Sequence, residues 1–428
     1  MAKVFLAWLF ACQALARRDN APQCQDMHFT FSTTASNRVA NNPPKDLFSD
    51  NEAINTFLQQ PVAYQNVSGT FTLFGQLCRP QSRHGALVVY SEEPKLQLLV
   101  HGSTYNHTYW SSLQEPSSDF VGAAADDDEG TEELFLHEEL SWIHSATRRG
   151  YWTLAIDRLG QGRSSRPDPV TVVQDPLQTQ LLHLLARRIR DEDILGLGFS
   201  QKWWPGGENH GDGYVGKIIY VGHSFGSGLG VHLASAHPDD FDGLILTAIA
   251  TVREGANPQP GSFLARWAPA AKAFPDRFPP DLPSGYLAST NKTGREALYW
   301  GVPAEEFDPV MFERDWEGQG THPLGEVLTV GEYLAKPPGS EFRKPVLVAD
   351  GSADAIFCSD LGSRDLGPVD CRPGPDGEIG KTRGWFPGVP GRLFATYRQP
   401  SSGHDHLLHR TGDQLIAHAH DWLASVGL

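Results

Sequence analysis

The stretch Lys217-Ile-Ile-Tyr-Val-Gly-His-Ser-Phe-Gly-Ser-Gly-Leu-Gly230 joins an apolar run to a glycine-rich turn and then to small residues. The run Lys217–Val221 predicts a buried strand, and Ser227–His237 has the pattern of a helix. Between them, Gly222-His-Ser-Phe-Gly226 has the G-x-S-x-G spacing of a tight strand–turn–helix that exposes a serine hydroxyl at the edge of a sheet. Glycine is favoured there because the backbone crosses close to its neighbours. Ser224 is therefore the candidate nucleophile.

The rest of the chain alternates apolar runs with helix-like segments, which is typical of a mostly parallel sheet flanked by helices. Several runs are apolar at nearly every position, as strands buried on both faces are. The sequence thus predicts an α/β fold. Besides the strand before Ser224, the predicted strands are Thr70–Leu77, Ala86–Tyr90, Leu96–Val100, Trp152–Ile156, Gly243–Thr247, Pro345–Ala349 and Arg392–Tyr397. The other predicted helices are Glu132–Arg149, Pro176–Arg190 and Gly412–Val426.

Three segments interrupt this alternation. Residues 249–341 are too long for an ordinary connection and are dense in proline and aromatic residues, so we interpret them as an inserted cap. A loop-rich excursion with its own small core is the alternative, and both descriptions can hold. Ala123–Glu133 is strongly acidic and is expected to be a solvated loop rather than a cation site, and Trp203–Tyr214 is a glycine-rich connection. The predicted organisation is a leader at 1–18, core at 19–248, cap at 249–341 and core at 342–428.

A serine nucleophile needs a general base, and candidates lie downstream. The strand Pro345–Ala349 leads into Asp350-Gly-Ser-Ala-Asp354, a turn with two carboxylates. Asp354 is favoured over Asp350 as the acid because it lies further into the loop, where it can reach a histidine. In Ser401-Ser-Gly-His-Asp-His406, His404 is favoured as the base, with His406 as the alternative. The acid would orient the imidazole and stabilise its protonated form.

Acyl chemistry also needs hydrogen-bond donors for an oxyanion. The backbone N–H of Phe225, directly after the candidate nucleophile, is one. The second donor is expected in the loop His101-Gly-Ser-Thr-Tyr105, which follows the strand Leu96–Val100. Ser103 is assigned to this role, with Thr104 as the fallback.

The N-terminus has the features of a secretory leader, with Lys3 before an apolar stretch that ends in Ala14-Leu15-Ala16. The pair Arg17-Arg18 is a possible trimming site for a dibasic protease. Without Cys12, four cysteines remain, and an even number fits disulfides in a secreted protein. Three pairings are possible, and local closure favours Cys24–Cys78 and Cys358–Cys371. None of the spacings forms a C-x-x-C pair, so no zinc site is expected, and we expect no other metal and no cofactor.

Three sequons offer glycosylation sites in a eukaryotic host, namely Asn66, Asn106 and Asn291. A glycan on Asn106 would crowd the loop that carries the second oxyanion donor, so this sequon is the least favoured of the three.

Composition excludes several classes of partner. The formal net charge of −16 repels phosphate backbones, so nucleic acid is not expected. Beyond the N-terminus, no apolar run reaches the roughly 18 residues of a membrane span. The expected partner is a small, hydrophobic ester, and the sequence leaves the oligomeric state open.

Five motifs in order carry a resemblance to a known family. They are His101-Gly102, Asp157-Arg-Leu-Gly-Gln-Gly-Arg-Ser164, Gly222–Gly226, Gly351-x-x-Asp354 and Gly403-His404. Together they resemble the serine-nucleophile branch of the α/β-hydrolase superfamily over about residues 70–428. More narrowly, His101–Trp110 and Phe357-Cys358 look like secreted fungal members of unassigned substrate.

The resemblance implies an eight-stranded, mainly parallel sheet with a cap after the sixth strand. It also implies the roles of nucleophile for Ser224, acid for Asp354 and base for His404. Epoxide hydrolases and haloalkane dehalogenases of this superfamily place aspartate at the nucleophile position, so Ser224 argues against both activities.

The leading functional prediction is a secreted serine hydrolase that cleaves a carboxylic ester or lactone through an acyl-enzyme. The aromatic cap suggests an apolar acyl or alcohol group, because ligand pockets are largely apolar. An acyltransferase or a cyclase of secondary metabolism using the same pocket is one alternative, and a non-catalytic binding module is another. Ser224 and His404 are both expected to be partly exposed to solvent.

Overall fold

The computed structural model describes residues 22–40, 47–60, 62–81, 93–115, 138–196, 215–251, 266–332, 337–358 and 369–428. The predicted leader, the predicted strand Ala86–Tyr90 and the segments Ala123–Glu133 and Trp203–Tyr214 lie outside these ranges. The strands are β1 (Gln23–Ala40), β2 (Val62–Arg79), β3 (Lys95–Val100), β4 (Trp152–Ile156), β5 (Lys217–His223), β6 (Gly243–Thr247), β7 (Trp267–Pro269), β8 (Tyr286–Ser289), β9 (His322–Pro323), β10 (Val346–Gly351) and β11 (Phe394–Gln399).

Helices connect or flank these strands. The α-helices are α1 (Asn51–Leu58), α2 (Trp142–Arg148), α3 (Asp175–Asp191), α4 (Phe225–Ala236), α5 (Ala270–Ala273), α6 (Lys292–Arg295), α7 (Pro309–Gly318), α8 (Leu324–Thr329), α9 (Glu378–Lys381) and α10 (Gly412–Ser425). A π-helix spans Glu296–Trp300, and 3-10 turns span His107–Trp110, Ala304–Glu306, Thr382–Trp385, Gly391–Leu393 and His406–Leu408.

The main sheet has eight strands in the order β1-β2-β4-β3-β5-β6-β10-β11. The pairs β1–β2 and β2–β4 are antiparallel, and every other pair in this sheet is parallel. The predicted α/β fold with a mostly parallel, eight-stranded sheet is therefore confirmed.

Helices cover both faces of the parallel strands, as burial on both faces requires. Neighbouring residues of β3 point to opposite sides. Leu98 packs in one core with Leu177 of α3, whereas Leu99 packs in a second core with Ile143 of α2 and Leu415 of α10. Each of these fully buried side chains stabilises the fold by roughly 1.5–3 kcal/mol. The two cores hold the carboxyl ends of the strands rigidly in register.

Sequence reasoning missed strand β1. It pairs with β2 over its whole length and sets Cys24 directly opposite Cys78, which are joined by a disulfide as predicted. The β1 segment is rich in serine and threonine and has few apolar residues. Only the alternation of Met27, Phe29 and Phe31 on one face marks it as a half-buried strand. The second predicted disulfide, Cys358–Cys371, is also present.

A separate three-stranded antiparallel sheet, β7-β8-β9, forms between β6 and β10. We call residues 266–332 the inserted segment. Several of its aromatic residues are buried, and Trp300 packs against Phe307 and Phe312. These aromatic side chains thus form a local core. None of the helices described is both long and apolar enough to cross a lipid bilayer.

Candidate active site

The turn between β5 and α4 carries Ser224 in a strained conformation, with φ +52° and ψ −117°. A side chain could not replace the flanking glycines, because a Cβ at Gly222 would lie 2.7 Å from the Gly226 carbonyl oxygen. A Cβ at Gly226 would lie 2.2 Å from the Val100 carbonyl oxygen. Close packing of the turn against β3 therefore forces this geometry, in which Ser224 is half-buried at the sheet edge.

The three residues predicted as nucleophile, base and acid lie in one hydrogen-bonded chain. Nε2 of His404 lies 2.7 Å from Oγ of Ser224. Nδ1 of His404 lies 2.6 Å from Oδ2 of Asp354. The three side chains come from loops after β5, β10 and β11, whose carboxyl ends meet at one edge of the sheet.

The two candidate acids have opposite environments. Oδ1 of Asp354 accepts hydrogen bonds from the backbone N–H groups of Ile356 (2.7 Å) and Phe357 (3.0 Å). Burial opposes ionisation of Asp354, but the charge and hydrogen bond of His404, a hydrogen bond with Asp350 and the N–H of Phe357 lower its pKa to about 2. Burial and the neighbouring Asp354 carboxylate raise the pKa of Asp350 well above its usual value. Asp354 is thus in contact with the imidazole and favoured as the ionised acid, whereas the environment of Asp350 favours its neutral form.

His404 is more enclosed than predicted. Its side chain is 1% exposed, so the expectation of partial exposure is wrong for this residue. The π-helix covers its loop so closely that a Cβ at Gly403 would lie 1.8 Å from the Trp300 carbonyl oxygen. Burial lowers the pKa of His404, but the charge and hydrogen bond of Asp354 outweigh it, and the net pKa lies above the usual value.

The neighbouring histidines have other partners. His406, the alternative base, places Nδ1 3.0 Å from Oε1 of Gln399. His409 lies just before α10. Its Nε2 accepts a hydrogen bond from the N–H of Gly403 (3.1 Å), so it supports the loop of His404. Burial lowers the pKa of both His406 and His409 to about 3, which keeps them neutral.

The loop after β3 lies against the serine turn, since a Cβ at Gly102 would lie 2.9 Å from Cβ of Ser224. The fallback donor Thr104 is occupied, because its N–H donates to the carbonyl of Thr321 at 3.2 Å. No other described residue accepts a hydrogen bond from the N–H of Ser103. Phe225 is the first residue of α4, where an N–H has no partner within the helix. These two N–H groups remain the candidate oxyanion donors.

The comparison with known protein families shows which family this chain belongs to. A family model described as "Alpha/beta hydrolase family" matches residues 97–418, which include the serine turn, both candidate acids and the loop of His404. The chain belongs to this family. No curated protein sequence matches this hydrolase.

Solved structures with a similar fold include an esterase from Thermogutta terrifontis, at 17% identity and a TM-score of 0.46, with 84% of this hydrolase and 95% of that chain covered. A monoacylglycerol lipase from Paleococcus ferrophilus has 16% identity and a TM-score of 0.42, with 77% and 94% covered. An epoxide hydrolase from Vigna radiata has 14% identity and a TM-score of 0.46, with 83% and 94% covered. At this similarity the comparison carries no argument about substrate.

A buried polar cluster below the site was not foreseen from the sequence. Arg295 donates to both carboxylate oxygens of Asp315, at 2.9 and 2.6 Å. The hydroxyl of Tyr105 lies 2.7 Å from Asp315 and also contacts Asp405, the neighbour of the base. Burial and the Asp315 carboxylate raise the pKa of Asp405 to about 8. The cluster ties the loop of His404 to the inserted segment, but no local sequence pattern marks it, because its members are far apart in the chain.

One group of described side chains could hold a metal ion, namely His183, His237 and Asp240. Nδ1 of His183 lies 2.8 Å from Oδ2 of Asp240. The two imidazoles stack with centroids 3.7 Å apart and planes 11° apart. Imidazole lone pairs lie in the ring plane, so parallel rings do not converge on one ion. The group includes no residue of the candidate site, and the expectation of no metal and no cofactor stays a prediction.

A cavity of about 450 Å³ opens at Tyr64, His232 and Glu332, and none of the residues that line it belongs to the Ser224 site.

The three sequons have different settings. Asn66 is exposed on β2 and Asn291 is half-buried. Oδ1 of Asn106 accepts from the N–H and hydroxyl of Thr108, so this side chain caps a 3-10 turn.

Proposed function

We propose that this hydrolase cleaves a carboxylic ester or lactone through an acyl-enzyme. The observation that carries the proposal is the hydrogen-bonded chain from Ser224 through His404 to Asp354, with distances of 2.7 and 2.6 Å. A neutral imidazole in contact with the hydroxyl, and an ionised carboxylate behind it, is the arrangement that activates a serine.

The reaction follows from these atoms. Oγ of Ser224 attacks the carbonyl carbon while its proton passes to Nε2 of His404. The N–H groups of Phe225 and Ser103 donate hydrogen bonds to the carbonyl oxygen as negative charge develops on it. The tetrahedral intermediate collapses, and His404 returns the proton to the departing alcohol oxygen. Asp354 stays ionised and holds Nδ1–H, which keeps Nε2 free as the base.

Water then repeats the sequence on the acyl-enzyme. His404 takes a proton from the water, the hydroxide adds to the acyl carbon, and the carboxylic acid leaves as Oγ of Ser224 recovers a proton. For a lactone, the alcohol and acid products remain one molecule.

The substrate is proposed to be small and apolar, with residues 249–341 as a cap over the site. Phe357 supports an apolar substrate, because its ring lies beside His404, with the two ring centroids 6.1 Å apart. The aromatic residues of the cap support an apolar pocket less than the sequence suggested, because Trp300, Phe307 and Phe312 pack against one another.

We further propose that the protein is secreted. The two disulfides are consistent with an oxidising compartment. Removal of the leader at 1–18 and glycosylation at Asn66 and Asn291 belong to the same proposal. Intact mass of the protein from a eukaryotic host, before and after deglycosylation, tests both.

The central test is the intact mass after treatment with a fluorophosphonate, for wild type, Ser224→Ala and Ser227→Ala. Ser227 is a matched control because it is a nearby serine in the first turn of α4. Its hydroxyl is occupied, since it donates to the Thr247 carbonyl at 2.7 Å. We expect one adduct on wild type and on Ser227→Ala, and none on Ser224→Ala. A panel of esters and lactones then defines the substrate. No adduct on folded wild type would contradict the proposal and favour a binding module.

A further inference from the structure

The loop that carries Ser103 is held by the inserted segment through the main chain. Thr104 has φ +67°, in the left-handed region. Its N–H donates to the carbonyl of Thr321 at 3.2 Å, and its carbonyl accepts from the N–H of Gly320 at 2.7 Å. The loop therefore has its conformation set partly from outside the main sheet.

One buried arginine holds the same loop from the other side. Arg158 is 1% exposed. Its Nε donates to the carbonyl of His101 at 2.9 Å, and one terminal nitrogen donates to the carbonyl of Gly102 at 3.1 Å. The Gly102 carbonyl and the Ser103 N–H belong to one planar, trans peptide, so they point in opposite directions. Nδ1 of His101 also lies 2.7 Å from this carbonyl oxygen. By holding that carbonyl together with His101, Arg158 sets the direction of the Ser103 N–H.

A carboxylate of the inserted segment positions this arginine. Glu326, on α8, is fully buried. It accepts from both terminal nitrogens of Arg158, one of them at 3.2 Å, and from Nε2 of Gln178 at 2.9 Å. The hydroxyl of Ser103 itself donates to Glu326 at 3.4 Å. A guanidinium presents its donors in a rigid fork, so a bidentate carboxylate sets the plane of the whole group.

We propose that Glu326 is a positioning residue for the reaction, which acts through Arg158 to aim the N–H of Ser103 at the oxyanion. This inference rests on the proposed function. Glu326 touches no reacting atom, and its effect reaches the site through the Gly102–Ser103 peptide.

The structure offers a matched control. Glu332 is also a buried carboxylate at the end of the inserted segment, and it pairs with Arg38 of β1 at 2.6 Å. It also accepts from the hydroxyl of Tyr64 at 3.0 Å. Neither Arg38 nor Tyr64 touches the loop of Ser103. Arg38 is 31% exposed, so this pair is less enclosed than that of Arg158 and Glu326. Glu332→Gln thus removes a buried carboxylate of the same segment without disturbing the proposed oxyanion donor.

The first experiment measures kcat and KM for p-nitrophenyl butyrate with Glu326→Gln and Glu332→Gln. We expect kcat to fall roughly 10- to 100-fold in Glu326→Gln, since loss of one oxyanion donor reduces kcat by about 100- to 1,000-fold. KM should stay within about twofold, because the donor acts mainly in the transition state. Glu332→Gln should keep both constants. A folded Glu326→Gln enzyme with wild-type kcat would overturn the proposal.

A second variant separates positioning from stability. Glu326→Gln leaves the Arg158 cation buried without its partner, which destabilises the fold. The double variant Arg158→Gln/Glu326→Gln removes both charges, so it should regain thermal stability. It should still have low kcat, because Arg158 no longer donates to the carbonyls of His101 and Gly102. If kcat returned together with stability, Glu326 would be merely structural.

Hydrogen exchange of the peptide over residues 101–110 gives a readout that needs no turnover. Exchange in this peptide should be faster in Glu326→Gln and unchanged in Glu332→Gln, with the peptide over β5 as the internal reference. Equal exchange in all three proteins would refute the positioning role. If wild type did not turn over any ester, the proposed function would fail, and hydrogen exchange would still decide whether Glu326 orders the loop.

Discussion

Polar residues serve two different purposes in the ribbon of β1 and β2 and in the buried cluster of Arg295, Asp315 and Tyr105. On the ribbon, hydroxyls pair across the strands in water, as in Thr30–Thr72 and Ser32–Thr70, both at 2.8 Å. In the cluster, Arg295 and Asp315 are fully buried and hydrogen-bonded at almost every polar atom. Exposed pairs exchange one hydrogen bond for another with water, whereas a buried group that loses its partner keeps the whole cost of desolvation.

The largest expected effect on stability is at Asp315. Asp315→Asn leaves the Arg295 cation buried without a counter-charge, which costs about 3–5 kcal/mol of unfolding free energy. Denaturant unfolding measures the change. The control is Glu313→Gln on the same helix, whose carboxylate pairs with Lys292 in solvent at 2.6 Å and should matter by less than about 1 kcal/mol. Equal losses in the two variants would show that burial does not separate the regions.

A smaller effect is expected on the pH dependence of kcat/KM. The pKa of His404 lies above its usual value of 6.5. Below this raised pKa the imidazole is protonated and cannot act as the base. On the acid limb, below the raised pKa of His404, kcat/KM should therefore rise by about tenfold per pH unit. Asp354→Asn removes the charge that raises the pKa, so its acid limb should move to lower pH. An unshifted limb would show that the carboxylate does not act on His404.

The smallest effect is expected on the ribbon. Ser32→Ala deletes one exposed hydroxyl pair and should change the unfolding free energy by no more than about 0.5 kcal/mol. A change as large as that of Asp315→Asn would mean that the ribbon hydroxyls are part of a site.

The parallel strands and the order of the three site residues could be predicted because their signals are local. Each is an apolar run followed by a short motif in a loop, as in Gly222–Gly226 and Gly403-His404. The cap composition was a weaker guide, since aromatic residues fill the core of the inserted segment as readily as they line a pocket.

The remainder could not be predicted because its signals are not local. Tyr105 and Asp315 meet across 210 positions, and Arg158 and Glu326 across 168. Buried charges of this kind look like ordinary surface residues in a sequence. Strand β1 was not predicted because its solvent face is so polar that the apolar residues on the other face, which include Met27, Phe29, Phe31 and Ala35, were not recognised.

The most direct test of the account compares kcat/KM of Asp354→Asn and Asp350→Asn for one ester. Both carboxyls are buried, Asp350 near the end of β10 and Asp354 in the loop that follows, but Asp354 alone contacts His404. We expect Asp354→Asn to lose about four orders of magnitude, because the amide favours the wrong imidazole tautomer. Asp350→Asn should lose far less, since this carboxyl does not hold Nδ1–H of His404. A greater loss in Asp350→Asn than in Asp354→Asn would contradict the proposed triad.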